Sequence, residues 1–217
     1  MIIKLKQRLI SVLCLLEAYS GSCMCLTRRL FSKEGRINIR DFFNQMQRGS
    51  YQSETSKCRL RLARFCTGYG VDLGFGGDPI TSQAIRVDSP MPYANTGTAS
   101  VQLGGDATRL HWFRDGVLDY VYSSHLLEDF EDTKAVLREW VRVLKPGGNL
   151  VLFCPDEQVY RQHCKATGQV YNENHKHPDF SLEKAKALLS EIGGVKFIHE
   201  TPLVDIYSWD LVAQKIV

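Results

Sequence analysis

The stretch GYGVDLGFGGDP, residues 68–79, decides the fold. Its first half reads as a short apolar strand, and Asp72, Gly74, Gly76 and Gly77 fall just beyond or at its carboxyl end, where open α/β sheets bind their ligands. Glycines there let a backbone approach a cofactor closely, although the same residues also suit a tight strand exit that needs positive φ. The next strand, AIRVD (84–88), ends in Asp88, and an acid at that position can accept both hydroxyls of a ribose. A third strand, SVQL (100–103), is followed by Gly105, Asp106 and Ala107, whose carboxylate is suited to the exocyclic amine of an adenine. Any one of these acids alone reads as a solvated strand end. Three of them at the ends of three successive strands, with the glycines, point to an adenosine pocket.

Further along, the chain keeps alternating: VLDYVY (117–122), a helix over about 132–144, NLVLFC (149–154), a helix from Ser181 to about Ile192, VKFIHE (195–200) and a last strand SWDLVAQKIV (208–217). This predicts an α/β domain over 67–217 with a Rossmann-like, doubly wound, mostly parallel sheet and a reversed last strand. Residues 1–66 read as a helical segment or lid with helices near 5–19, 38–48 and 54–66.

Composition narrows the function. The chain has 217 residues, 44% of them hydrophobic, and 27 Lys plus Arg against 24 Asp plus Glu give a net charge of +3. That excludes a disordered or rod-like chain, and the balanced charge argues against nucleic acid as partner. The densest basic stretch, Arg59, Arg61 and Arg64, reads as the solvated face of a helix. Seven cysteines (Cys14, Cys23, Cys25, Cys58, Cys66, Cys154, Cys164) form no CxxC pair and no zinc spacing. A reducing, cytoplasmic location and no metal are expected. The apolar run Leu9–Leu16 behind Lys4, Lys6 and Arg8 is too short to span a membrane, and reads as an amphipathic helix able to dock on a core, a partner or a membrane surface.

Taken in order, VDLGFGGDP, IRVD, GGDATRL, LDYVYSSHLLEDFED and LREWVRVLKPGGNLVLFCPDE make the sequence resemble class I S-adenosylmethionine-dependent methyltransferases, in the small-molecule, methyltransferase type 11-like branch, from about Gly68 to the end. The resemblance implies S-adenosyl-L-methionine as cofactor. It also implies that Asp72, Gly74 and Gly76 line its methionine side, Asp88 the ribose, Asp106 with Ala107 the adenine, and Ser123 and Ser124 the methionine moiety. His125 would face the cleft, as base toward a hydroxyl acceptor or as a structural histidine opening a helix. Pro146 and Gly147 suit the centre of a type II turn.

Two departures accompany the resemblance. Asp78 and Pro79 leave room for only a turn or so of first crossover helix, and two prolines and a glycine in DSPMPYANTGTAS (88–100) oppose the second. The acceptor, a small molecule such as a sugar, lipid-linked compound or secondary metabolite, is expected to meet the insertion PDEQVYRQHCKATGQVYNENHKHPDFS (155–181), with Tyr160, His163, Tyr171 and His175 as binding residues. The bland alternative is a solvated loop. The pair His175 and His177 lacks a third metal ligand, and the acidic run Glu128, Asp129, Glu131, Asp132 reads as a solvated helix start. A nicotinamide-dependent oxidoreductase is disfavoured because the third glycine of GxGxxG is lost. A non-catalytic interaction module on the same fold remains the alternative function.

Overall fold

A computed structural model describes residues 53–89 and 99–217. The helices expected near 5–19 and 38–48, and most of the loop 88–100, lie outside the described residues. The chain divides into units Met1–Tyr51 and Gln52–Val217, so the helix expected over 54–66 falls with the sheet.

That helix, α1 (Glu54–Leu62), begins where the Ser53 side chain accepts from the Ser56 amide, and a 3-10 turn over Ala63–Phe65 ends it. Seven strands follow: β1 (Gly70–Leu73), β2 (Ile85–Asp88), β3 (Leu103–Gly104), β4 (Leu118–Ser124), β5 (Leu144–Pro155), β6 (Val195–Val204) and β7 (Ser208–Lys215). Helix α2 (Thr133–Val143) leads into β5, α3 (Glu157–Thr167) follows it, and α4 (Leu182–Ile192) precedes β6. The strands form one sheet in the order β3-β2-β1-β4-β5-β7-β6. The first five strands pair in parallel, and β7 runs antiparallel between β5 and β6, which is the reversed last strand anticipated from the sequence.

Alternation along the central strands sorts the core into two layers. Tyr120, Tyr122, Val151 and Phe153 face Cys58 and Leu62 of α1, while Leu118, Val121, Leu150 and Leu152 face the Leu137, Trp140 and Leu189 side of α2 and α4. With both faces covered, β1 is buried along its whole length and shows no polar alternation. Cys66 and Cys154 are buried in these two layers. Gly147 has φ +82°, as the second central position of a type II turn requires.

The sequence reading is corrected in three places. Strand β3 is shorter than SVQL and begins only at Leu103, although the Gln102 amide already bonds to the Arg86 carbonyl. The basic stretch is not simply solvated: Arg59 pairs with Asp78 at 2.7 Å, and Arg61 reaches Asp210, a fully buried residue of β7, at 2.8 Å. The insertion after β5 is half helix, because Asp156 caps α3 at the Val159 amide, Tyr160 and Cys164 turn inward one turn apart, and Gly168 ends the helix in the left-handed region. Between β1 and β2 only turns are found, in keeping with the truncated crossover.

Candidate functional site

The order reversal between β1 and β4 opens a crevice at the carboxyl edge of the sheet, and the predicted cofactor residues all lie along that edge. Asp72, on β1, is fully buried; its Oδ2 accepts from the Ile80 amide at 2.6 Å, and its Oδ1 has no hydrogen-bond partner among the described residues. Burial pushes its carboxyl well above the ordinary aspartate range, and the nearby Asp78 adds to this. Gly74 follows at φ +66°, and a Cβ there would come within 2.8 Å of Leu126 Cδ2. Its left-handed φ and the Leu126 side chain above it both favour glycine at this position.

Asp88 ends β2 and is half buried, which raises its pKa against the opposing pull of two amides. Those amides are Gly76, at 3.2 Å from Oδ2, and Ser89, at 2.7 Å from Oδ1. The acid therefore also braces the glycine turn. Asp106 stands exposed beyond β3 with Oδ1 accepting from the Thr108 amide, and the Ala107 carbonyl is held by the Trp140 indole at 2.8 Å. Ser123 is buried and donates to the Leu73 carbonyl at 3.1 Å, tying the ends of β1 and β4 together.

These residues could hold an adenosyl sulfonium ligand. The donor-free oxygen of Asp72 suits an amino group, the Cβ-less Gly74 a close backbone contact, and the acids at the next two strand ends, Asp88 and Asp106, a ribose and an adenine amine.

His125 opens the far side of the crevice. It sits at φ +48°, an uncommon value for a residue with a side chain, while its amide bonds to the Phe153 carbonyl. Its Nε2 lies 3.1 Å from Ser208 Oγ and 3.4 Å from Glu54 Oε2, and its Nδ1 is 3.9 Å from Glu128 Oε1. Burial lowers its pKa to about 4, with Lys57 and His175 adding to the effect and Glu54 opposing it. The ring is therefore neutral at pH 7.

The four residues singled out in the insertion do come together. Tyr160 packs against Tyr171, His175 and Tyr207 with centroids 5.5, 5.1 and 4.9 Å apart, and His163 meets Tyr207 at 5.5 Å. Tyr207 in turn lies edge-on to His125 at 6.2 Å, joining the aromatic cluster to the crevice. Sequence reasoning missed Tyr207, Ser208, Glu157 and Glu54, which carry no local motif. It also misplaced Glu128: this residue is fully buried, because Leu127–Asp129 form a 3-10 turn that points it inward before α2 begins at Thr133. Asp132 of the same acidic run caps α2 at the Ala135 amide. His175 and His177 are directed to different partners, Glu157 and the Phe130 carbonyl.

Known proteins share this fold. Residues 57–152 match the model of a family described as a methyltransferase domain. Two curated relatives, the demethylmenaquinone methyltransferases of Mycolicibacterium paratuberculosis and Mycolicibacterium vanbaalenii, are each 51% identical over 51 residues, covering 24% of this chain. The match spans only 22% of the length of those relatives. An S-adenosylmethionine-dependent methyltransferase of Thermotoga maritima superposes with a TM-score of 0.56 at 21% identity, covering 82% of this chain and 96% of its own. The cyclase SpnF superposes with a TM-score of 0.54 at 16% identity, covering 75% of this chain and 80% of its own, a likeness of fold alone. Residues 57–152 thus resemble a methyltransferase domain, and the chain shares the fold of the solved Thermotoga maritima methyltransferase.

Proposed function

We propose, from the premise that this chain carries a methyltransferase domain, that it uses S-adenosyl-L-methionine to methylate a small-molecule acceptor. The observation that carries the reading is the buried Asp72 oxygen without a donor, close to Gly74, whose left-handed backbone favours a residue without a Cβ. When bound, the cofactor supplies an activated methyl group on a sulfonium. In this reading Asp72 accepts from its amino group, Asp88 from the ribose and Asp106 from the adenine, while Gly74, Gly76, Ala107 and Ser123 shape the walls. The chain's main task is alignment of the acceptor and exclusion of water.

On the acceptor side, His125 takes the proton that the acceptor loses, its neutral ring able to receive one at Nε2 at pH 7 when the acceptor takes the place of Ser208 Oγ beside it. Tyr160, His163, Tyr171 and His175, with Tyr207, form the acceptor wall, and their aromatic faces favour a planar ring. The demethylmenaquinone methyltransferases act on such a ring by name, so a demethylmenaquinone analogue is the first acceptor to test.

Calorimetric titration with S-adenosylmethionine and S-adenosylhomocysteine tests the cofactor. The expected result is micromolar binding that falls at least ~10-fold in Asp88→Ala, equivalent to loss of one charged hydrogen-bond acceptor. Folded protein that binds neither compound would refute the enzyme and favour an interaction module on the same fold.

A further inference from the structure

Beneath the acceptor wall lies a line of buried ionisable groups that cofactor binding does not use. Glu128 sits between two imidazoles, its Oε1 3.9 Å from Nδ1 of His125 and 3.8 Å from Nε2 of His175. Neither carboxyl oxygen of Glu128 has a hydrogen-bond partner among the described residues, and a movement of less than ~1 Å brings either ring into hydrogen-bond range. The other nitrogen of His175 is fixed: Nδ1 lies 2.8 Å from Oε2 of Glu157. Glu157 also accepts from Arg161 at 2.9 Å and from the Tyr171 hydroxyl. A second fastening holds the two halves in register, since the Lys176 amide donates to the Glu128 carbonyl at 2.9 Å.

The charge states suit transfer. Burial, with Asp129, Glu157 and Glu54 nearby, pushes the Glu128 carboxyl well above its ordinary range, so it holds a proton. Burial alone would do the same to Glu157, but His175, Tyr171 and Arg161 outweigh it and keep that carboxylate ionised. The remaining titratable groups facing the line are Lys57 on α1, Cys154 on β5, Tyr160 on α3 and Tyr207 before β7.

We infer that His125, Glu128, His175 and Glu157 form one proton-transfer chain running from the acceptor wall toward Arg161, with Glu128 as the positioning residue at its centre. The inference rests on the methyl-transfer reading. As the acceptor's bond to the methyl carbon forms and the sulfur–methyl bond breaks, the acceptor's proton passes to Nε2 of His125. Glu128 then takes the Nδ1 proton of His125 and releases its own carboxyl proton to Nε2 of His175, remaining neutral itself. His175 becomes an imidazolium stabilised by Glu157, and the chain resets when that proton is lost to water and the remaining His125 proton returns from Nε2 to Nδ1.

Nitrogen-resolved NMR titration of the histidines in the full chain tests this without acceptor or cofactor, so its outcome is separate from that of the binding titration. In the wild type, neutral His175 is expected to carry its proton on Nδ1. The reverse tautomer overturns the chain. Glu157→Gln, which does not touch His125, is expected to shift the His125 midpoint by ~0.5 pH or more, and this shift is expected to vanish in the Glu128→Gln background. A shift of equal size in both backgrounds, or none in either, overturns the inference. Tyr171→Phe removes an outer donor from Glu157 and replaces Glu157→Gln in the same cycle should that variant not fold. With a turned-over acceptor, Glu128→Gln is expected to lower kcat with little change in KM and to displace the pH profile.

Discussion

At the residue scale, the cofactor edge depends most on a position with no side chain. Gly74 has positive φ and a Cβ there would press on the Leu126 side chain, so Gly74→Ala must strain the backbone and shift Leu126, the neighbour of His125. Affinity for S-adenosylmethionine is expected to fall ~10-fold or more while the far-ultraviolet spectrum is unchanged, and wild-type affinity in a folded variant would dissociate the turn from the cofactor. Gly74, Asp72 and Asp88 were legible in the sequence because a strand end, a turn and an acid are neighbours along the chain. Glu128 and Tyr207 were not. The first reads as one more acid in a run until a 3-10 turn rotates it inward, and the second gains its place only when the β6–β7 turn folds back on α3.

At the element scale, α3 joins the proposed acceptor wall to the sheet. Tyr160 is on its inner face, Glu157 on its first turn gathers His175, Tyr171 and Arg161, and the Asp156 cap fixes where it starts. The insertion's dense polar residues concealed this helix, whose inward positions are only Glu157, Tyr160 and Cys164. By contrast, α2 announced itself through Val136, Leu137, Trp140 and Val141 at helical spacing. Asp156→Ala leaves the Val159 amide without its acceptor and should cost about 1 kcal/mol in chemical denaturation. Loosening α3 should also weaken acceptor binding more than cofactor binding, because the Asp72 and Asp88 contacts lie across the sheet on other strands. Equal losses for both ligands would count against α3 as a separate acceptor element.

For the whole molecule, buried ionisable groups at the carboxyl edge link the candidate site to folding stability. His125 is lowered from 6.5 to about 4, so between these values the unfolded chain binds a proton that the native chain does not, and stability rises with pH. Glu128 and Asp72 act in the opposite sense. Their native carboxyls hold protons that the unfolded chain has already released, so their contribution is fully present below the unfolded carboxyl pKa and is lost as pH rises toward the native one. Glu128→Gln keeps the shape and removes one titrating group whose oxygens have no hydrogen-bond partner to lose among the described residues. Its Tm is therefore expected to exceed that of the wild type, with the difference growing from about pH 5 to about pH 8 as the wild type is progressively penalised for keeping a carboxyl neutral in the interior. Thermal denaturation across that range decides the matter: a difference that stays constant with pH would mean that Glu128 does not titrate with folding, and one that grows in the wild type's favour would mean that its carboxylate is stabilised in the native protein.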